Sequence, residues 1–214
     1  MNQLRLFILL VTGPFLSACE GGQEGPLPVL GNKYTVGGDT VFHEIADFRF
    51  VNQDSQWVTN ATFQDKVYLA DFFFTSCPTI CPKVKKQMLR LYNKYEQDSR
   101  VLLLSHSIDV RRDTVGHLRR YASNLGVKTE KWHFVTGLHD EIYEMADDYF
   151  STAKVDAEAP GGFDHSGLII LVDANRHVRA YCDGTDAASV GQFMEDIDKL
   201  LREEYAPALD PIVN

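Results

Sequence analysis

Val67-Tyr68-Leu69-Ala70-Asp71-Phe72-Phe73-Phe74-Thr75-Ser76-Cys77-Pro78-Thr79-Ile80-Cys81-Pro82 sets the architecture of this chain. Its first eight residues are almost continuously apolar and rich in aromatics. That length and composition fit a central strand covered on both faces. After the cysteines, Val84, Met88, Leu91 and Tyr95 recur at helical spacing through about residue 97. Pro78 suits a first helical turn, where its missing N–H costs nothing. Cys77 and Cys81 are then i and i+4 on one helix face. The sequence therefore predicts a buried strand delivering two cysteines to a helix N-terminus. Unpaired amides and the helix dipole there favour anionic sulfur and lower a thiol pKa.

Toward the C-terminus, Val101–Ile108 reads as a second buried strand. Asp113-Thr114 can cap a helix carrying Leu118, Tyr121, Ala122 and Leu125, and Gly126 can end it. Trp132–Val135 is a short strand. Residues 138–150 read as helix, Ser151–Gly162 as a loop, and Gly167–Asp173 as a strand. Residues 177–181 return as a hairpin partner, and 186–204 form a closing helix. This alternation predicts an α/β fold, a sheet with helices on both faces.

Toward the N-terminus, Trp57–Thr59 and Asp47–Val51 read as strands. Tyr34–Val36 and Thr40–Phe42, joined by Gly37-Gly38-Asp39, read as an N-terminal hairpin. Glu20–Pro28 is rich in Gly, Pro and Glu, as a flexible tether is. Ahead of it stand Arg5, the apolar run Leu6–Val11, and Leu16-Ser17-Ala18-Cys19. The run is too short to span a bilayer comfortably and reads as a secretory signal. Small residues before Cys19 resemble a bacterial lipobox, in which that cysteine is lipidated and becomes residue one. An ordinary signal peptide or an uncleaved anchor is the other reading. The division expected is a lipoprotein signal at 1–18, a tether at 19–32 and one domain at 33–214. It places the domain in the bacterial cell envelope, outside the cytoplasm and held to a membrane by lipid.

The chain has 214 residues and a formal net charge of −9. Its 44% hydrophobic and 24% charged residues are those of a globular protein able to bury a core without disulfide staples. An acidic surface with no dense Lys/Arg cluster argues against nucleic acid as a partner. It keeps the protein soluble or steers a basic partner. With Cys19 assigned to the anchor, Cys77, Cys81 and Cys182 remain. A close pair plus a singleton is no disulfide framework. It is a working dithiol and a bystander, Cys182, that reads as a buried inert thiol.

Two thiolates at this spacing can interconvert with a disulfide or grip a soft metal, Cu(I) or zinc. Two buried small hydrophobes are the plain structural reading. Structural zinc wants four protein ligands, and one further ligand emerges from the chain, so a three-coordinate Cu(I) site is favoured. Seven histidines compete for that place. His106 and His133 fall inside strands, and His106 reads as a satisfied core residue. His43, His117, His139 and His177 fall on surfaces or turns, where solvation is the default. His165, in Phe163-Asp164-His165-Ser166, precedes a central strand and follows a Gly-rich loop. In thioredoxin-like folds the loop entering that strand packs beside the cysteine helix. Without that fold, a core or surface histidine is the default reading.

Phe74-Thr75-Ser76-Cys77-Pro78-Thr79-Ile80-Cys81-Pro82 resembles the signature of the Sco/SenC family. Ser107-Ile108-Asp109 with Arg112-Asp113-Thr114, then Trp132–Gly137, then Asp164-His165-Ser166 resemble that family's further blocks, in matching order across residues 40–204. Val110 and Val115 stand where members often have Pro, Gly161-Gly162-Phe163 replaces the commoner Tyr-x-Val, and Cys182 is outside the pattern. The resemblance implies a thioredoxin-like fold with a central mixed sheet, an anchored domain, and copper held by Cys77, Cys81 and His165. Cu(I) is the expected state, although the histidine also suits Cu(II). It further implies a chaperone delivering copper to the binuclear site of cytochrome c oxidase subunit II.

Asp164 then orients His165 or is a solvated turn residue. Asp109 braces the loop after its strand. The rival reading is a thiol-disulfide oxidoreductase that reduces the acceptor's cysteines. Cys77 attacks, Cys81 resolves, and the pair ends as a Cys77–Cys81 disulfide. A peroxidase fits less well, since no Arg lies near the motif in sequence. A plain interaction domain leaves the cysteines unexplained.

Overall fold

A computed structural model describes residues 25–206 of the chain. The expected signal, Cys19 and the first part of the tether lie outside the described residues. Among those described, no helix is long and apolar enough to cross a membrane.

The central strand is β5 (Val67–Phe73), every residue of which is buried. It pairs in parallel with β6 (Val101–Ser107), and β6 in parallel with β7 (Trp132–Thr136). On the other side β5 pairs antiparallel with β10 (Leu168–Val172), and β10 antiparallel with β11 (Val178–Asp183). Antiparallel β3 (Arg49–Asn52) and β4 (Trp57–Thr59) complete the β7 edge. The seven-stranded order is β11-β10-β5-β6-β7-β3-β4. This is the mixed, thioredoxin-like sheet expected.

Alternate residues of β5 serve opposite faces. Phe73 stacks on Tyr121 of α2 (Val115–Leu125), while Tyr68 and Phe72 meet Tyr149, just past α3 (His139–Asp148). Helix α1 (Cys81–Tyr95) lies on the Phe73 face and buries Val84, Met88, Leu91 and Tyr95. Helix α4 (Ala187–Tyr205) packs beside α1, and the Tyr95 hydroxyl donates to the Met194 carbonyl at 3.2 Å. Both faces of β5 are thus covered, which is why its sequence reads as one apolar run.

The expected hairpin is β1 (Lys33–Val36) with β2 (Asp39–Phe42), separate from the main sheet. The segment read as tether is held from Leu27 onward. Arg179 donates to the Leu27 and Pro28 carbonyls, and Leu30 N–H to the Val178 carbonyl. Arg179 is 9% exposed, and a buried guanidinium needs acceptors on all its sides. The two backbone carbonyls supply part of them and Asp173, Glu203 and Glu204 the rest, which composition alone does not reveal.

Two further elements differ from expectation. The stretch read as one loop before His165 holds β8 (Ala153–Val155), paired with β9 (Phe163–His165). Asn60–Phe63 forms a short 3-10 helix.

Candidate metal centre

Helix α1 begins at Cys81, with Pro82 in its first turn and Ile80 as its N-cap. Pro78-Thr79-Ile80 is a turn, not helix. This corrects the expectation that both cysteines stack on one helix face. The turn brings the Cys77 sulfur back to the helix start, where it accepts the Cys81 N–H at 3.4 Å. It therefore satisfies one of the amides a helix N-terminus leaves unpaired. The Thr79 hydroxyl lies 3.8 Å from the same sulfur. Burial opposes ionisation of Cys77, but these hydrogen bonds outweigh it and pull its pKa below the ordinary thiol value. Cys81 goes the other way. Burial first, then the neighbouring Cys77 and Asp71, raise it far above that value.

The sheet register explains the third group. Strand β10 runs antiparallel to β5, with Ile169 opposite Asp71. Residues just before β10 must therefore lie beside residues just after β5. Gly167, at φ +66°, turns the chain sharply between β9 and β10, close against Ile80. His165 closes β9, and its Nε2 lies 3.3 Å from the Cys81 sulfur and 3.9 Å from the Cys77 sulfur. The three donor atoms fall within 4.8 Å of one another. Burial holds the His165 pKa below the ordinary imidazole value despite the nearby Asp164 charge. The ring is thus neutral at pH 7, the form that binds metal.

These atoms fit a thiophilic metal ion. Bonds of ~2.3 Å to sulfur and ~2.1 Å to nitrogen, set between tetrahedral and trigonal angles, give S···N separations of about 3.6–3.8 Å. The two observed values straddle that range. Two sulfurs and one imidazole suit copper.

The centre is covered from solvent. Cys77, Cys81 and His165 are 8%, 6% and 8% exposed. Phe74 meets the His165 ring edge-on at 5.6 Å and Phe163 at 4.9 Å. Gly161, at φ +85°, lies so close that a β-carbon there would stand 2.7 Å from the Phe74 ring. Of the two readings of Asp164, orienting the ring or standing solvated, its half-exposed pairing with Lys154 at 3.2 Å across the β8–β9 hairpin favours the second.

Other expectations fall as follows. Cys77 and Cys81 are free thiols. Cys182 is a free thiol across from Ile169, buried as expected and pushed by burial to about 12. Asp109 accepts the Arg112 N–H and braces its loop. His106 is wholly buried but not satisfied, since among the described residues neither ring nitrogen has a hydrogen-bond partner. Aromatic packing holds it instead, with Phe72 stacked at 4.7 Å. His133 meets Asn52 at 3.2 Å, His43 the Asp148 carbonyl at 2.9 Å, and His177 Asp173 at 3.4 Å. His139 stacks on Tyr143.

Four residues stand near the cysteines that the sequence did not place there. Asp113, expected as a helix cap, is fully buried and serves the cysteine loop. It accepts the Thr75 N–H at 3.0 Å, the Thr75 hydroxyl at 2.5 Å and the Ser107 hydroxyl at 2.6 Å. His117 Nε2 lies 3.1 Å from the same Thr75 hydroxyl. Asp71, a lone carboxylate in an apolar strand, takes a hydrogen bond from Ser105, which accepts one from the Trp132 indole at 2.8 Å. Burial pushes Asp71 up to about 7. Its isolation among apolar neighbours was the available signal. Arg112, distant in sequence, donates to the Ser76 hydroxyl at 3.4 Å, so a guanidinium does stand beside the motif.

Residues 38–202 match the SCO1/SenC family model. A SCO1 protein homologue of Bacillus subtilis is 30% identical over 188 residues, covering 86% of this chain and 89% of that protein. A SCO1/SenC family lipoprotein from Bacillus anthracis superposes with a TM-score of 0.67 at 26% identity, covering 73% of this chain and 94% of that one. BsSco, described with a disulfide switch and as a member of the Sco family of cytochrome c oxidase assembly proteins, gives 0.62 at 29% identity, covering 74% and 93%. Arabidopsis thaliana ScoI, solved with copper bound, shares the fold at 23% identity and TM-score 0.62, covering 74% and 98%. With its fold, its cysteine turn and the match over most of its length, the chain belongs to the SCO1/SenC family.

Proposed function

We propose that this protein is a copper chaperone that carries copper on Cys77, Cys81 and His165 and delivers it to the binuclear copper site of cytochrome c oxidase subunit II. One observation carries the reading: donors 84 and 88 residues apart in sequence converge within 4.8 Å at a helix N-terminus. Two thiolates and one Cu(I) leave a charge of −1, which the α1 amides offset. Three ligands leave room for an acceptor's thiolate to enter, so copper can pass by ligand exchange. The family tie of BsSco to oxidase assembly, and the copper held by a plant relative, support the cargo and its destination. Lipid on Cys19 would hold the domain to a membrane of the cell envelope, in line with the Bacillus anthracis relative's description as a lipoprotein.

The opposed pKa directions of the cysteines favour a second reading. Cys77 as thiolate attacks a partner disulfide. Cys81 then displaces the partner's thiol and closes a Cys77–Cys81 disulfide, and the partner leaves reduced. One comparison separates the two. Load the reduced domain with Cu(I), then measure copper affinity and insulin-reducing rate in wild type and His165→Ala. A chaperone loses at least a hundredfold in affinity. Equal copper retention with an unchanged reducing rate leaves only the dithiol.

A further inference from the structure

Among the described residues, a roomy groove lies away from the cysteines. Its volume is about 910 Å³, and it runs between the start of β3 and the exposed side of α3. Phe50 and Met145 form its buried floor, while Trp57 and Leu138 flank it at 60% and 68% exposure. The size suits a small ligand or a few side chains.

The charges around it are one-sided. Glu141 and Glu144 stand exposed on the first turns of α3, and neither forms an ion pair with the described residues. Among the described residues Arg49 is the one cation lining the groove, and its guanidinium lies 3.9 Å over the Trp57 ring. The other two lining carboxylates are engaged. Asp47 pairs with Arg176 at 2.6 Å, and Asp148 takes the Ala46 N–H at 2.6 Å. An apolar floor under two unpaired carboxylates repels acidic ligands. A neutral apolar ligand would leave those carboxylates desolvated without a partner. A segment with Lys or Arg beside a large apolar side chain satisfies both requirements.

We infer that this groove docks a basic, amphipathic segment of a partner protein. The inference stands apart from the copper reading, since no metal ligand lines the groove. The two places nonetheless share one end of the molecule. Strands β5, β6 and β7 run parallel, so Cys77 and Leu138 both follow strand C-termini at that end. Two strand spacings, about 10 Å, separate β5 from β7. A partner seated in the groove therefore reaches the same end of the molecule as the cysteine turn, from the α3 face of the sheet.

The full chain without metal is titrated with a synthetic lysine–leucine amphipathic peptide while Trp57 emission is followed. A saturable blue shift is expected. Glu141→Gln with Glu144→Gln weakens the peptide at least tenfold. Glu130→Gln with Glu195→Gln, the same charge change elsewhere, leaves affinity within twofold. Trp57→Phe removes the spectral signal but keeps calorimetric binding. No saturable change, or equal weakening by both double variants, overturns the proposal. So does sedimentation showing that a second copy of the chain occludes the groove.

Discussion

At the scale of single residues, burial sets the chemistry. The Cys77 sulfur gains a helix amide and ionises readily, whereas Cys81 and Cys182 gain mainly desolvation. Iodoacetamide at pH 7 should therefore label Cys77 at least tenfold faster than Cys81 and leave Cys182 untouched in the folded domain. Peptide mapping reads this, and Cys81 reacting first would contradict it. His106 is depressed by burial from 6.5 to about 3. Its unfolded form binds a proton throughout that window and its folded form does not, so stability falls as pH drops from 6.5 toward 3. The loss approaches about 4 kcal/mol. His106→Phe, filling the same aromatic slot, should flatten the acid limb of urea titrations between pH 4 and 6. An unchanged acid limb would place the loss elsewhere.

At the scale of elements, a buried carboxylate joins two loops. Asp113 sits just before α2, yet its oxygens tie the Thr75 end of the cysteine turn to Ser107 at the end of β6. A helix cap spends its acceptor on its own helix, whereas this one spends it on the neighbour. Asp113→Ala leaves those donors buried without an acceptor and should cost about 2–4 kcal/mol. Because Thr75 is two residues from Cys77, copper affinity should fall as well. Asp113→Asn, keeping one acceptor, should recover part of both. Denaturant titration with parallel Cu(I) competition tests this, and intact copper affinity in the alanine variant would dismiss the positioning role.

At the scale of the whole molecule, the chain enters the domain far from its site. Arg179 grips Leu27 and Pro28 at the start of β11, next to the end of β10. That end of β10 faces Tyr68 at the start of β5, while Cys77 follows the other end of β5. About 23 Å of strand lies between them. A domain attached through its N-terminus therefore turns its thiols away from the attachment. Arg179 also pairs with Asp173 at 2.9 Å, and Asp173 is 1% exposed. Arg179→Leu leaves that carboxylate with the Asn175 and His177 amides and the His177 ring but no guanidinium, and should cost about 1.5–3 kcal/mol. It should also open the chain to proteolysis near Leu27. A cleavage pattern matching wild type would mean that other contacts hold the segment.

Only through the family resemblance did the sequence single out His165; by itself it determined most of the element order, the buried strand ahead of the cysteines, the helix after them and the two sulfur donors. Those features rest on local periodicity and on residue types whose chemistry is distinctive. It did not determine where α1 starts, because a turn at Pro78–Ile80 and a first helical turn have the same composition. Nor did it reveal Asp113 and Arg112 beside the cysteine turn, or the grip on Leu27. Those depend on which strand ends meet. Only the antiparallel placement of β10 against β5 decided that His165 faces two sulfurs more than eighty residues away. That placement comes from burying both faces of one sheet at once, a property of the assembled core that no local window contains.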